Sequence, residues 1–210
     1  MPTKPGLYIV IEGSDGVGKT TQLELLKKRL EASGLHVSGL REPAGDAVGR
    51  IIRKILADPA YDIDPRTEVL LFNAARSGLM RKVKELTGNG TWCVADRSFL
   101  STLAYQCYGH AGVLDIASVQ NICDFAIADR RPDLIIVLDA PAQELAKRRE
   151  KLAMNDRIDM FSLDFFERVR QGYLAEARRL ELPVINGLLS VGDIEQQIWK
   201  LVEPLVKGVT

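Results

Sequence analysis

Leu7-Tyr8-Ile9-Val10-Ile11-Glu12-Gly13-Ser14-Asp15-Gly16-Val17-Gly18-Lys19-Thr20 is the stretch on which the reading of this chain turns. Residues 7–11 form a continuous apolar run rich in β-branched side chains, as expected of a strand covered on both faces. Residues 13–20 match G-x-x-x-x-G-K-[ST], a motif that requires a strand before it and a helix after it. The helix is predicted from Lys19 to Ala32, with Leu23, Leu26 and Leu30 at helical spacing and Gly34 closing it. Such glycines permit backbone conformations barred to other residues, so successive N–H groups can turn inward around phosphate oxygens. The helix N-terminus adds its positive dipole end. Lys19 can reach the β- and γ-phosphates, and the Thr20 hydroxyl is placed to ligate Mg²⁺. Gly13, Ser14, Asp15, Gly16, Val17, Gly18, Lys19 and Thr20 are therefore expected to hold a nucleoside triphosphate. The alternative, a glycine-rich turn with a chance lysine, does not account for the flanking elements.

Outward from this loop the pattern alternates. Strands are predicted at 37–40, 92–95, 134–138 and 184–185. Helices are predicted around 48–57, 66–86, 98–108, 114–128, 142–152, 163–180 and 193–206, with an irregular polar piece at 153–160. Alternating strands and helices imply a parallel sheet with right-handed crossovers and helices on both faces. The expectation is a five-stranded, three-layer α/β fold of the P-loop NTP hydrolase type, forming one domain across residues 1–210. Ligands of such sheets bind outside the carboxyl ends of the strands.

Composition sets bounds on function. The 210 residues, 46% apolar and 27% charged, suit one globular domain. With 28 Lys+Arg against 28 Asp+Glu, bulk positive charge cannot hold nucleic acid or an anionic membrane, so neither is expected as a partner. The start, Met1-Pro2-Thr3-Lys4-Pro5-Gly6, lacks the apolar core of a secretory signal, and no apolar run approaches the roughly 18 residues of a membrane span. Cys93, Cys107 and Cys123 form no CxxC pair. They read as buried thiols in a reducing cytosol. His36 and His110 have no metal-ligand spacing.

The loop does not say what is done with the triphosphate. A GTPase switch should carry N-K-x-D, which is missing from the sequence, and a motor or transporter would need a longer chain. A small kinase needs an acceptor pocket. Several segments supply candidates: Ile11-Glu12-Gly13, Arg41-Glu42-Pro43, Phe72-Asn73-Ala74-Ala75-Arg76, Asp96-Arg97-Ser98, Ser101-Thr102-Leu103-Ala104-Tyr105-Gln106, Arg131-Pro132-Asp133 with Leu138-Asp139, and Asp156-Arg157-Ile158. Phe72 and Arg76 lie four apart on a predicted helix, hence on one face. A ring there can stack on a pyrimidine while the guanidinium donates to a base carbonyl. Arg97 follows a strand and emerges at the carboxyl edge of the sheet, where a bidentate guanidinium suits a phosphate monoester.

In order and spacing these segments resemble the thymidylate kinase family from about residue 7 to 200. That resemblance implies transfer of the γ-phosphoryl of ATP to dTMP, with Mg²⁺ as cofactor, in a cytoplasmic homodimer serving DNA precursor synthesis. It implies that Phe72 and Arg76 take the thymine ring and that Arg97 holds the dTMP phosphate. Glu42, Pro43 and Arg53 join the acceptor site, and Thr102 and Gln106 contact base and sugar. Tyr105 crowds a ribose 2′-hydroxyl, and Asp15 faces the sugar 3′-hydroxyl. Asp96 either fixes Arg97 or sits near Mg²⁺ through water. The phosphate loop contains no arginine, so a bacterial-type lid at about 147–160 is expected to supply the catalytic one. Arg149, Lys151 and Arg157 are the candidates, with Arg149 and Arg157 favoured, while Arg148 packs on adenine. Glu150 and Leu152 stand where basic residues are usual, and Val184-Ile185-Asn186-Gly187 replaces the usual I-D-A. A plain solvated helix is the alternative for residues 148–151. The competing functions are a P-loop kinase for another pyrimidine nucleotide or deoxynucleoside, and a regulatory module that only holds ATP.

Overall fold

The computed structural model describes residues 4–151 and 156–209. Strand β1 (Tyr8–Glu12) is buried along its whole length, because it is the middle strand of a five-stranded sheet ordered β2-β3-β1-β4-β5. The others are β2 (Val37–Arg41), β3 (Trp92–Asp96), β4 (Leu134–Asp139) and β5 (Val184–Asn186), and every pairing is parallel. Val10 lies opposite Ala95 on one side and Ile135 on the other. The helices are α1 (Lys19–Ala32), α2 (Ala47–Ala57), α3 (Pro65–Gly88), α4 (Phe99–Thr102), α5 (Ile116–Ile127), α6 (Ala142–Lys151), α7 (Leu163–Arg179) and α8 (Val191–Val209).

Alternation along the strands makes two core layers. Ile9 and Ile11, with Trp92 and Val94, pack on Leu23, Leu26 and Leu30 of α1 and on Ile194, Ile198 and Val202 of α8. Tyr8 and Val10, with Cys93 and Ala95, pack on α3, α5 and α7 through Val69, Leu79, Val119, Phe166 and Val169. Side chains of Asp46, Asp64 and Ser162 cap α2, α3 and α7, each satisfying otherwise orphaned N–H groups. The three cysteines are buried free thiols. Among the described residues no helix is long and apolar enough to cross a membrane.

Every expected strand falls within one residue of the observed one at each end. Two segments differ from expectation. Residues 98–108 do not form one α-helix: after α4 the chain widens into a π-helix at Leu103–Gly109. The piece expected to be irregular contains a 3₁₀ turn at Arg157–Met160. Residues 152–155 of the expected lid, and the side chain of Lys151, lie outside the described parts.

Candidate active site

The carboxyl edge of the sheet collects the loop after β1 and the end of β3. Gly13 has φ 137°, and a Cβ there would lie 2.3 Å from the Leu138 carbonyl oxygen, so only glycine lets β1 turn beneath β4. The loop closes over Lys19, whose Nζ donates to the Ser14 carbonyl at 3.1 Å and is almost wholly buried. Burial, followed by the nearby Arg97 charge, pulls the Lys19 amine below its ordinary pKa. The Thr20 hydroxyl donates to Asp96 Oδ2 at 2.6 Å, while the buried Asp96 Oδ1 has no hydrogen-bond partner. Asp96 thus holds Thr20 and not Arg97.

Arg97 itself stands at φ 81°, a left-handed conformation that is costly for a side-chain-bearing residue and is found where the surroundings enforce it. Its guanidinium donates to Asp15 Oδ1 at 2.5 Å, Ser101 Oγ at 2.8 Å and the Tyr173 hydroxyl at 2.9 Å, and lies 5.0 Å from the Tyr105 ring centre. The Tyr105 hydroxyl donates to the other Asp15 oxygen at 2.7 Å. Burial alone would raise the Asp15 pKa, but Arg97, Lys19 and Tyr105 outweigh it and hold the carboxyl well below the usual range. Behind Arg97, the buried Glu12 accepts from the Ser98 N–H and Ser101 hydroxyl, each at 2.7 Å. Burial lifts the Glu12 pKa despite the opposing Arg97 charge.

A cleft of about 730 Å³, partly open to solvent, extends from Asp15. All ten residues expected to bind the acceptor line it: Asp15, Glu42, Pro43, Arg53, Phe72, Arg76, Arg97, Thr102, Tyr105 and Gln106. Such a mixed polar and apolar lining suits a small organic ligand. Arg76 is 1% exposed, so it is not a surface charge. It donates to Glu42 at 2.7 Å, Asn73 Oδ1 at 2.6 Å, Thr102 Oγ1 at 2.9 Å and the Ser98 carbonyl at 3.1 Å. Its donors are therefore engaged by protein, although the residue itself lines the cleft. Phe72 forms an apolar wall with Ile52, Leu56 and Ala75. Gln106 donates to Glu68 at 2.8 Å.

The lid candidates separate. Arg149 donates to the Asp15 carbonyl at 3.3 Å and lies over the Phe166 ring at 3.8 Å. Arg148 reaches the carbonyls of Gly16 at 3.4 Å and Gly187 at 3.2 Å. Arg157 points elsewhere, to the Leu56 carbonyl at 3.2 Å and to Glu68. Arg53 pairs with Asp156.

Sequence reasoning missed Glu68 and Tyr173, and it gave no role to Glu12 and Ser101, although both lie in segments it singled out. Glu68 carried a signal, since it precedes Phe72 by four and Arg76 by eight on one face of α3. Glu12 is an acid in an otherwise apolar strand. Tyr173 had no local signal.

A phosphate loop whose lysine is buried, abutting a second cleft lined by arginines and an aromatic wall, defines a nucleotide kinase of the P-loop class. The thymidylate kinase family model matches residues 11–198. The chain is 38% identical over 203 residues to thymidylate kinase of Kosmotoga olearia, covering 92% of this chain and 94% of that one. It is 32% identical to that of Legionella pneumophila over 99% of both chains. It also resembles the crystal structure of thymidylate kinase from Ehrlichia chaffeensis, with TM-score 0.77 and 28% identity over 95% of this chain and 100% of that one. The chain belongs to the thymidylate kinase family, and its function is the phosphorylation of dTMP, the family's phosphoryl donor being ATP.

Proposed function

We propose that ATP lays its phosphates in the loop at 13–20 with adenine beside Arg148, and that dTMP fills the adjoining cleft. One observation carries this reading: ten candidate residues from five separate stretches of chain line one cleft that meets the phosphate loop at Asp15. The dTMP phosphate sits on Arg97, and the base lies against Phe72 with its polar edge on Thr102 and Gln106. The Tyr105 ring crowds a ribose 2′-hydroxyl, and Asp15, once the phosphate takes over Arg97, accepts from the sugar 3′-hydroxyl.

No general base is required. The second pKa of a phosphate monoester lies near about 6, so the acceptor is mostly a dianion at neutral pH. The work of these residues is to hold two polyanions in line, neutralise charge as it moves and exclude water. Lys19 and Arg97 supply fixed cations. Mg²⁺ fits beside the loop, because the Thr20 hydroxyl and the orphaned Asp96 Oδ1 are hard oxygen donors. Bound there, the ion would shield the donor phosphates.

The arginine that meets the transferring group is assigned to α6, giving the bacterial type with a lid-supplied arginine. Arg149 is favoured because its guanidinium already reaches the Asp15 carbonyl. Arg157, engaged by Glu68 and Leu56, belongs to the acceptor end of the lid. A single nucleoside monophosphate kinase domain across 1–210, working as a homodimer in the cytoplasm, completes the reading. The dimer is supported by an apolar stripe on α2, where Val48, Ile51 and Ile55 are 59%, 61% and 36% exposed, beside exposed Leu70 on α3.

Replacing the aromatic wall tests the site. Phe72→Ala should raise the Michaelis constant for dTMP by about tenfold, the scale of base–aromatic stacking, and leave that for ATP within about twofold. Equal effects on both substrates would mean that the base does not lie on Phe72.

A further inference from the structure

Two polar side chains in the acceptor cleft have surrendered half of their hydrogen-bonding choice to buried carboxylates. Thr102 Oγ1 accepts from Arg76 at 2.9 Å, and Arg76 is itself held by Glu42 at 2.7 Å. The Thr102 O–H proton is left to donate. Gln106 Nε2 donates to Glu68 Oε2 at 2.8 Å, which leaves its carbonyl to accept. Both residues line the cleft and are buried. A donor beside an acceptor complements an edge bearing a carbonyl and a ring N–H, as thymine and uracil have. Cytosine presents an amino group and a bare ring nitrogen instead.

Glu68 cannot easily turn away from Gln106. It sits in the first turn of α3, is 1% exposed, and its other oxygen accepts from Arg157, which is also tied to the Leu56 carbonyl at 3.2 Å. His110 Nε2 lies 3.7 Å from the oxygen that holds Gln106.

We propose that Glu68 is a positioning residue: it fixes the Gln106 amide with the carbonyl toward the acceptor and so sets the preference for pyrimidines that carry a ring N–H. This rests on the reading of the cleft as the dTMP site. Glu68 touches no substrate and acts only through Gln106. In Glu68→Gln, Arg157 still requires an acceptor, so the new amide gives it the carbonyl and turns its NH₂ to Gln106. Gln106 must then turn over and present its own NH₂ to the base.

The test compares kcat/KM for dTMP and dCMP, and KM for ATP, in wild type, Glu68→Gln, Gln106→Ala and the double variant. Glu68→Gln should narrow the dTMP:dCMP ratio by about tenfold or more, the scale of one charge-assisted hydrogen bond, with KM for ATP within about twofold. In the Gln106→Ala background the same change should leave the ratio unaltered, since the two residues act as one unit. Should Glu68→Gln fail to fold, Glu68→Asp keeps the charge for Arg157 and withdraws from Gln106. It should then weaken dTMP use only where Gln106 is present. An unchanged ratio, or a full effect without Gln106, overturns the role of Glu68 while leaving the cleft assignment standing. A Gln106→Ala variant with unchanged KM for dTMP would instead remove the cleft assignment itself, and the proposal with it.

Discussion

Asp15 and Arg97 are 82 residues apart in sequence and 2.5 Å apart in the site. Each could be assigned from its own neighbourhood, one from the phosphate loop and the other from the end of a buried strand. Their pairing could not, because nothing local links them. The pairing has a pH signature. Asp15 and Glu68 are both held below the ordinary carboxylate pKa: burial works against this at each, but Arg97 and Lys19 at Asp15, and the nearby His110 with the donors of Arg157 and Gln106 at Glu68, prevail. The unfolded chain therefore binds more protons at these groups in acid. The stability they contribute is complete above about pH 4.5 and is lost as pH falls through the folded values. Glu12 and Glu42 are raised by burial against the pull of Arg97 and Arg76. Their contribution runs the other way and is lost as pH rises through the folded values. Asp15→Asn should lower Tm at neutral pH yet flatten the decline of Tm as pH falls below about 4. A decline as steep as the wild type's would show that Asp15 is not held ionised by Arg97.

The elements were legible where the hydrophobic pattern decides them. Strands buried on both faces read as apolar runs, and α1 follows from its leucine spacing. The π-helix at Leu103–Gly109 was not legible, because its cause lies in α7. A Cβ at Gly109 would come within 2.7 Å of the Phe165 ring, and one at Gly172 within 2.7 Å of the Tyr108 ring. The two segments approach so closely that Tyr105 and Gln106 are carried on a widened turn, the kind of helix irregularity often found at functional sites. The helix expected over 98–108 would place Thr102 and Gln106 one α-helical turn apart, whereas the observed register from Leu103 is π-helical. Gly172→Ala should push Tyr108 and the π-helix outward. The expected result is destabilisation of about 1–3 kcal/mol by overpacking and a KM for dTMP raised more than that for ATP. An unchanged KM for dTMP would show that α7 does not set the acceptor edge.

At the scale of the molecule, the balance of 28 basic against 28 acidic residues conceals local concentration. Lys19, Arg76 and Arg97 are buried or nearly so and face Asp15, Asp96, Glu42 or Glu12. Carboxylates face these cations in the structure, and in the proposed reading Lys19 and Arg97 pass to phosphate when substrate binds. The exposed stripe on α2 belongs to this scale too. Ile51→Glu, on a side chain 61% exposed, should leave Tm nearly unchanged for a monomer while shifting light-scattering mass from about twofold to one chain. A wild type that already scatters as one chain would contradict the dimer. The central claim, phosphoryl transfer from ATP to dTMP in the cleft between Asp15 and Gln106, is tested most directly by ADP release with dTMP, dUMP, CMP, UMP and thymidine as acceptors. Release should be fastest with dTMP and accompanied by equimolar dTDP. Efficient turnover of UMP with none of dTMP would contradict it.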